Sequence, residues 1–245
     1  MIRLDKLFLT VGLIVLTSVV TLIPEIAQAQ KLVAVGIAGN DHVYYWSKER
    51  DADGNVEFTV HSATTDNRKI YFPRKAFFDS LNELIRDDKL IAAAIAGSND
   101  HVYYWWKGKT LDGKKNVFKV TSGTSQDPTK YTKFPKTFHK FGKKRLLAAA
   151  INKNDRVYYW WMDKDGNIYN SVGTSDKATE HIIPRNVEVG FLTRDAYNLV
   201  AAGIAKSDDH VYYFWKKKED GKIYVSSGTS TEPFKYREFY SANLP

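Results

Sequence analysis

The sequence predicts an all-β chain folded as a four-bladed β-propeller, with four-stranded antiparallel blades and short helices between them. Three observations carry that prediction. One unit of about 54 residues is written four times, each copy has the punctuation of a strand meander, and the first strand of every copy is built from small residues.

Residues 1–29 stand apart from the repeats. Arg3 and Lys6 precede an apolar run from Leu7 to Ile23, Pro24 ends it, and Ala27-Gln28-Ala29 offers the small residues that a signal peptidase reads. This is the pattern of a cleaved signal peptide. An uncleaved amino-terminal anchor is the alternative for a run of this length, and the Ala-x-Ala site favours cleavage. No later segment is long and apolar enough to span a bilayer, so residues 30–245 are expected to form one exported domain, secreted or periplasmic. The 245 residues are 43% hydrophobic and 26% charged, which excludes disorder as the dominant state. There is no cysteine, which excludes disulfide scaffolds, thiolate metal sites, cysteine nucleophiles and a lipidated amino-terminal Cys.

The four copies occupy residues 31–88, 89–144, 145–197 and 198–245. Each opens on a continuous apolar run, as in Leu32 to Ala38, expected of a strand buried on both faces. An Asn-Asp or Asp-Asp pair follows (Asn40-Asp41, Asn99-Asp100, Asn154-Asp155, Asp208-Asp209), suited to a tight turn because both residues tolerate positive φ. Val-Tyr-Tyr and an aromatic come next, beginning at Val43, Val102, Val157 and Val211, a β-branched and aromatic second strand. Asp-Gly pairs at Asp53, Asp112, Asp165 and Asp220 then signal a hairpin into a third strand. Ser/Thr-rich tracts follow it. Lys69 to Phe72 and Tyr131 to Phe134 read as a short fourth strand ended by proline. Between the first two copies, Phe77, Phe78, Leu81, Leu84 and Ile85 share one helical face, and short or irregular helices are expected in the next two linkers.

Four such meanders close naturally into a ring. With four blades the inner strands converge on a narrow axis, and the first strands are dense in Ala and Gly: Ala34 and Gly36, Ala92 to Ala94, Ala148 to Ala150, Ala201 to Gly203. In this layout the chain resembles the hemopexin-like four-bladed propellers, which also have four-stranded blades and a small-residue inner strand. The resemblance covers Lys31 to about Tyr240 and concerns layout alone. The disulfide joining first and last blades in that family is absent and no metal-binding motif matches, so it transfers no functional residue.

The six tryptophans all lie in the second strands. Blade-to-blade packing accounts for Val-Tyr-Tyr, whereas Trp106 and Trp161, nearer the strand ends, are candidates for exposed stacking platforms toward sugars or bases. The turn before each second strand holds Asp41-His42, Asp100-His101, Asp155-Arg156 and Asp209-His210. This polar ring is a candidate site for a phosphate or a saccharide, against the alternative that Asp simply bonds its own turn. A shared metal is disfavoured by Arg156. Asp51-Ala-Asp53-Gly-Asn55 and Asp163-Lys-Asp165-Gly-Asn167 resemble the start of a calcium loop. They lack the acid at position twelve, where Ser62 and Thr174 stand, so a turn is the better reading. Nucleophile elbows, phosphate-cradling loops and zinc motifs are missing, and no cofactor is implied.

Charge is the most informative functional feature once divided by repeat. The chain carries a formal net charge of +8, and the copies contribute −2, +9, 0 and +1 in order. The second copy thus holds the excess. Lys107, Lys109, Lys114 and Lys115 flank its Asp-Gly turn, and Lys130, Lys133, Lys136, Lys140, Lys143 and Lys144 follow. A solvated surface is the bland alternative. An anionic partner is the sharper one, and for an exported protein that means an acidic polysaccharide or an envelope polymer rather than nucleic acid. The predicted function is therefore a non-enzymatic, lectin- or adhesin-like binding protein. An extracellular polysaccharide hydrolase or lyase with an axial site and a protein-binding scaffold are the alternatives.

Overall fold

The computed structural model describes residues 31–50, 52–53, 56–63, 74–75, 89–109, 116–132, 136–139, 142–189 and 196–242. The expected signal peptide and the expected helix at residues 77–85 lie outside this set. Among the described residues there is no helix, and none that is long and apolar enough to cross a membrane.

The described residues include sixteen strands in four antiparallel sheets, each ordered along the chain. Blade one comprises β1 (Lys31–Ile37), β2 (Val43–Arg50), β3 (Val56–Ala63) and β4 (Arg74–Lys75). Blade two comprises β5 (Lys89–Ile95), β6 (Val102–Lys109), β7 (Asn116–Gly123) and β8 (Lys136–Thr137). Blade three comprises β9 (Arg145–Ile151), β10 (Val157–Met162), β11 (Ile168–Gly173) and β12 (Ile182–Asn186). Blade four comprises β13 (Tyr197–Ile204), β14 (Val211–Lys217), β15 (Ile223–Gly228) and β16 (Arg237–Ala242). Each inner strand touches the inner strands of both neighbours, β1 against β5 and β13, β9 against the same two, so the ring is closed.

The small inner residues are needed for that closure. A Cβ on Gly36 would lie 2.9 Å from Ile95 Cγ1 of blade two, and one on Gly203 would lie 2.8 Å from Ile37 Cγ1 of blade one. Outside the axis, the repeated aromatics form the joints. Edge-to-face pairs Trp46–Tyr104, Trp105–Tyr159, Trp160–Tyr213 and Phe214–Tyr45 link successive blades, with ring centroids 5.5–5.7 Å apart. Three of these joints add a hydrogen bond. Trp46, Trp105 and Trp160 donate their indole N–H to the carbonyls of Ser125, Ser175 and Ser230 in the next blade. The Thr carbonyls just before those serines accept the buried hydroxyls of Tyr104, Tyr159 and Tyr213. The Ser-Gly-Thr-Ser tracts are therefore docking loops for aromatic donors.

One expectation needs correction. Trp106 and Trp161 are not exposed platforms: they are 2% and 0% exposed, and their N–H groups donate to Thr121 Oγ1 and Ser171 Oγ. The strand face they occupy abuts the preceding blade, where Phe138 stacks on Trp161 at 5.9 Å. The expected fourth strand Lys69 to Phe72 lies outside the described residues, as do residues 133–135 of the next, whose Tyr131 and Thr132 are not in a strand. In blade three β12 runs through Pro184. An outermost strand is paired on one side only, so a residue without an N–H is tolerated there.

Candidate functional site

The two ends of the axis differ. At the hairpin face, where β1 turns into β2 and its counterparts do the same, Asp41, Asp100, Asp155 and Asp209 all adopt positive φ of 53–59°. This left-handed conformation costs a non-glycine residue roughly 1–2 kcal/mol, and the carboxylates offset it by stapling blades. Asp100 Oδ1 accepts the Gly39 N–H at 3.0 Å, Asp155 Oδ1 the Gly97 N–H at 2.9 Å, and Asp41 Oδ1 the Lys206 N–H at 2.6 Å. Asp209 holds Lys153 of blade three through an ion pair at 3.3 Å. The Asp41 bond joins blade one to blade four, closing the ring without a covalent link.

Lys206 plugs this end. Only 7% exposed, its ammonium donates to the carbonyls of Ile95, at 2.9 Å, and Ile151, the last residues of β5 and β9. Burial lowers its pKa from 10.5 to about 8, with the four ring aspartates opposing that shift. The polar ring expected at this rim thus exists, and its acids hold the fold together. Outside it, His101 stacks on Tyr131 at 3.8 Å and His210 on Tyr236 at 4.1 Å, while the backbone N–H groups of His42, His101 and His210 close Asx turns and that of Arg156 donates to Asn152 Oδ1, four residues back. Among the described residues, no group of three or more His, Asp or Glu is placed to hold a metal ion. Asp163 is engaged by its own hairpin, accepting from Asp165 N, Asn167 N, Asn167 Nδ2 and Tyr169 OH, which is turn chemistry rather than a calcium loop.

The opposite, basal face is open. A cavity of about 620 Å³ sits where the four inner strands begin, within the range typical of small-molecule sites. Its cations are Lys89, Lys107, Lys143, Lys144 and Arg145, and among the described residues no carboxylate lines it. Their placement follows from register. Lys89 at the start of β5 pairs directly with Lys107 on β6, as Lys31 pairs with Lys48 in blade one. Like charges directly opposite in a sheet repel. The Lys89 ammonium has its pKa lowered by burial and then by Lys31, Arg145, Lys107 and Lys48. Lys144 lies over the Tyr169 ring at 4.6 Å.

Of the lysines expected to form a basic patch, Lys107, Lys143 and Lys144 converge here and Lys136 lies exposed on β8. Lys109 ends β6, whereas Lys114, Lys115, Lys133 and Lys140 lie outside the described residues. Sequence reasoning missed Lys89 and Arg145 as site residues. The signal was present: the first residue of the inner strand is basic in three copies, Lys31, Lys89 and Arg145.

Blade one departs from the others at one buried pair. Where blades two to four join a Trp on the second strand to a Thr or Ser on the third, blade one has Ser47 and His61, with Ser47 Oγ 3.3 Å from His61 Nε2. Ring and hydroxyl have exchanged strands. The imidazole is buried and its Nδ1 has no hydrogen-bond partner among the described residues; burial lowers its pKa, against the opposing field of Glu49.

No family model and no curated protein matches the chain. Among solved structures, the GH43_1 enzyme from Xanthomonas citri is similar at TM-score 0.47 and 9% identity, covering 86% of this chain and 74% of that one. A GH43 β-1,3-galactosidase is similar at TM-score 0.42 and 10% identity, over 88% and 49% of the two chains. A Hadza microbial sialidase is similar at TM-score 0.39 and 8% identity, over 87% and 46%. Likenesses at these identities and scores assign neither substrate nor mechanism to this chain.

Proposed function

We propose that the protein is a non-enzymatic binding module for an anionic ligand, an acidic glycan or cell-envelope polymer, engaged at the basal mouth of the propeller. One observation carries this reading: among the described residues five cationic side chains and no carboxylate line the cavity, and two of the cations are paired against each other across a strand ladder. Such an arrangement leaves repulsion that an anion relieves. Carboxylate-based glycoside hydrolysis needs two acids flanking the bond, and the described lining supplies cations in their place. Export, on the signal-peptide reading of residues 1–29, would bring the site to envelope polymers.

The test is equilibrium binding of polygalacturonate, with neutral dextran as control, at about 20 mM and about 200 mM salt. The expected result is binding of the polyanion alone, weakened at least about tenfold by the added salt and by the triple change Lys89→Gln, Lys107→Gln and Lys143→Gln. Equal binding by the triple variant and the native chain, insensitive to salt, would overturn the proposal.

A further inference from the structure

The wall of the basal cavity is as informative as its charge. In every blade the pairing of the inner strand with the second strand slips by one residue at the same place: between Leu32 and Ala34, Leu90 and Ala92, Leu146 and Ala148, and Leu199 and Ala201. The residues carried by these four bulges are Val33, Ile91, Leu147 and Val200, and all four line the cavity. A bulge re-aims a side chain that regular pleating would send elsewhere. Repeated four times around an axis, it makes an apolar collar. Three of the four residues remain only partly buried, although each is aliphatic and lies beside a packed core. Nearer the surface stand the lysines and Arg145. Beyond the collar the axis is filled by alanine and glycine, and at the far end by Lys206.

A purely polar anion satisfies the cations and leaves the collar wet. We infer that the ligand of this mouth is an anionic amphiphile with a single acyl or alkyl chain, its phosphate or carboxylate held by Lys89, Lys107 and Arg145 and its first methylenes against Val33, Ile91 and Val200. This rests on the anion-binding reading above and narrows it to lipid-bearing anions of the kind that anchor envelope polymers. Both halves of the site gather at the same strand starts: Lys89 and Arg145 open β5 and β9, Lys107 on β6 pairs with Lys89, and the bulge two or three residues into each inner strand supplies the collar. A chain of moderate length suits the volume, because burial of each methylene strengthens binding several-fold.

The probe is n-dodecyl phosphate below its micelle concentration, titrated into the full mature chain by calorimetry beside inorganic phosphate, dodecyl maltoside and polygalacturonate. Dodecyl phosphate is expected to bind at least about a hundredfold more tightly than inorganic phosphate, and dodecyl maltoside more weakly by about tenfold or more. The double variant Val33→Thr, Val200→Thr keeps side-chain shape. It is expected to reduce dodecyl phosphate affinity about tenfold while leaving polygalacturonate within about twofold, with an unchanged circular dichroism spectrum. If dodecyl phosphate binds no better than inorganic phosphate while polygalacturonate still binds, the amphiphile inference is wrong and the anion site stands. If none of the three anions binds, both fall together.

Discussion

Gly173→Ala is expected to destabilise the protein by about 4 kcal/mol and to lower its melting temperature by roughly 10 °C. A Cβ at this position would sit 1.8 Å from the Lys177 carbonyl oxygen and 2.9 Å from two further backbone atoms, none of which is the end of a flexible side chain. Relief requires moving the loop from Thr174 to Ala178. That loop supplies the Ser175 carbonyl to Trp105 and the Thr174 carbonyl to Tyr159, both fully buried. Displacing it leaves buried donors without acceptors, at about 1–3 kcal/mol each. Gly123 and Gly228 face the same close approach, to Asp127 O and Glu232 O. Blade one has Ala63 at the equivalent register, opposite Val43, so Ala63→Gly serves as the control and is expected to cost about 1 kcal/mol or less. Thermal denaturation of both variants checks this; a Gly173→Ala protein melting within about 2 °C of the native one would show that the loop is not held by that contact.

The second large effect is one of pH. Lys206 has an ordinary pKa of 10.5 when the chain is unfolded and about 8 in the fold. Between those values the unfolded chain binds more protons than the native one, so stability rises with pH across that window. Below about pH 8 both states hold the proton, and the cost of keeping a buried ammonium is present in full, roughly 3 kcal/mol. The buried phenols of Tyr104, Tyr159 and Tyr213, whose pKa values burial pushes well above 10, act in the opposite sense at higher pH. Subtracting the curve of Lys206→Met removes them. The difference in unfolding free energy, measured by urea titration, should change by roughly 3 kcal/mol from pH 8 to pH 10.5, with the native chain gaining. A flat difference would mean that the ammonium is not buried at the axis.

Much of this is legible in the sequence. The four copies, the meander order, the Asp turns with positive φ and the crowding at the axis all follow from residue type and spacing, because each is decided within a few residues of chain. What was not legible depends on a neighbouring blade. Trp106 and Trp161 look like strand-end aromatics until the preceding blade covers them. Asp41 and its equivalents read as local turn formers, and their bonds to the preceding blade need the ring. Lys206 differs from Gly39 and Gly97 at the same position by a single residue, and nothing local says that its side chain enters the axis. The sequence places the basic patch on one blade's surface. The cavity instead draws Lys89 and Lys107 from blade two, Lys143 and Lys144 from the linker after it, and Arg145 from blade three, because the inner strands all begin at one mouth. The bulges were invisible, since a bulge is a property of pairing rather than of sequence.

Stability and binding should part company at that mouth. Lys107 faces Lys89 across the β5–β6 ladder, and Lys107→Glu turns a repelling pair into an attracting one, worth about 0.2–1 kcal/mol on each side of the exchange. The most direct measurement is therefore a paired one on this single variant: its melting temperature without ligand and its affinity for polygalacturonate. If the mouth is a site for anions, the variant melts about 1–4 °C above the native chain and binds at least about tenfold more weakly. A variant that melts lower, or that binds the polyanion as well as the native protein, would contradict it.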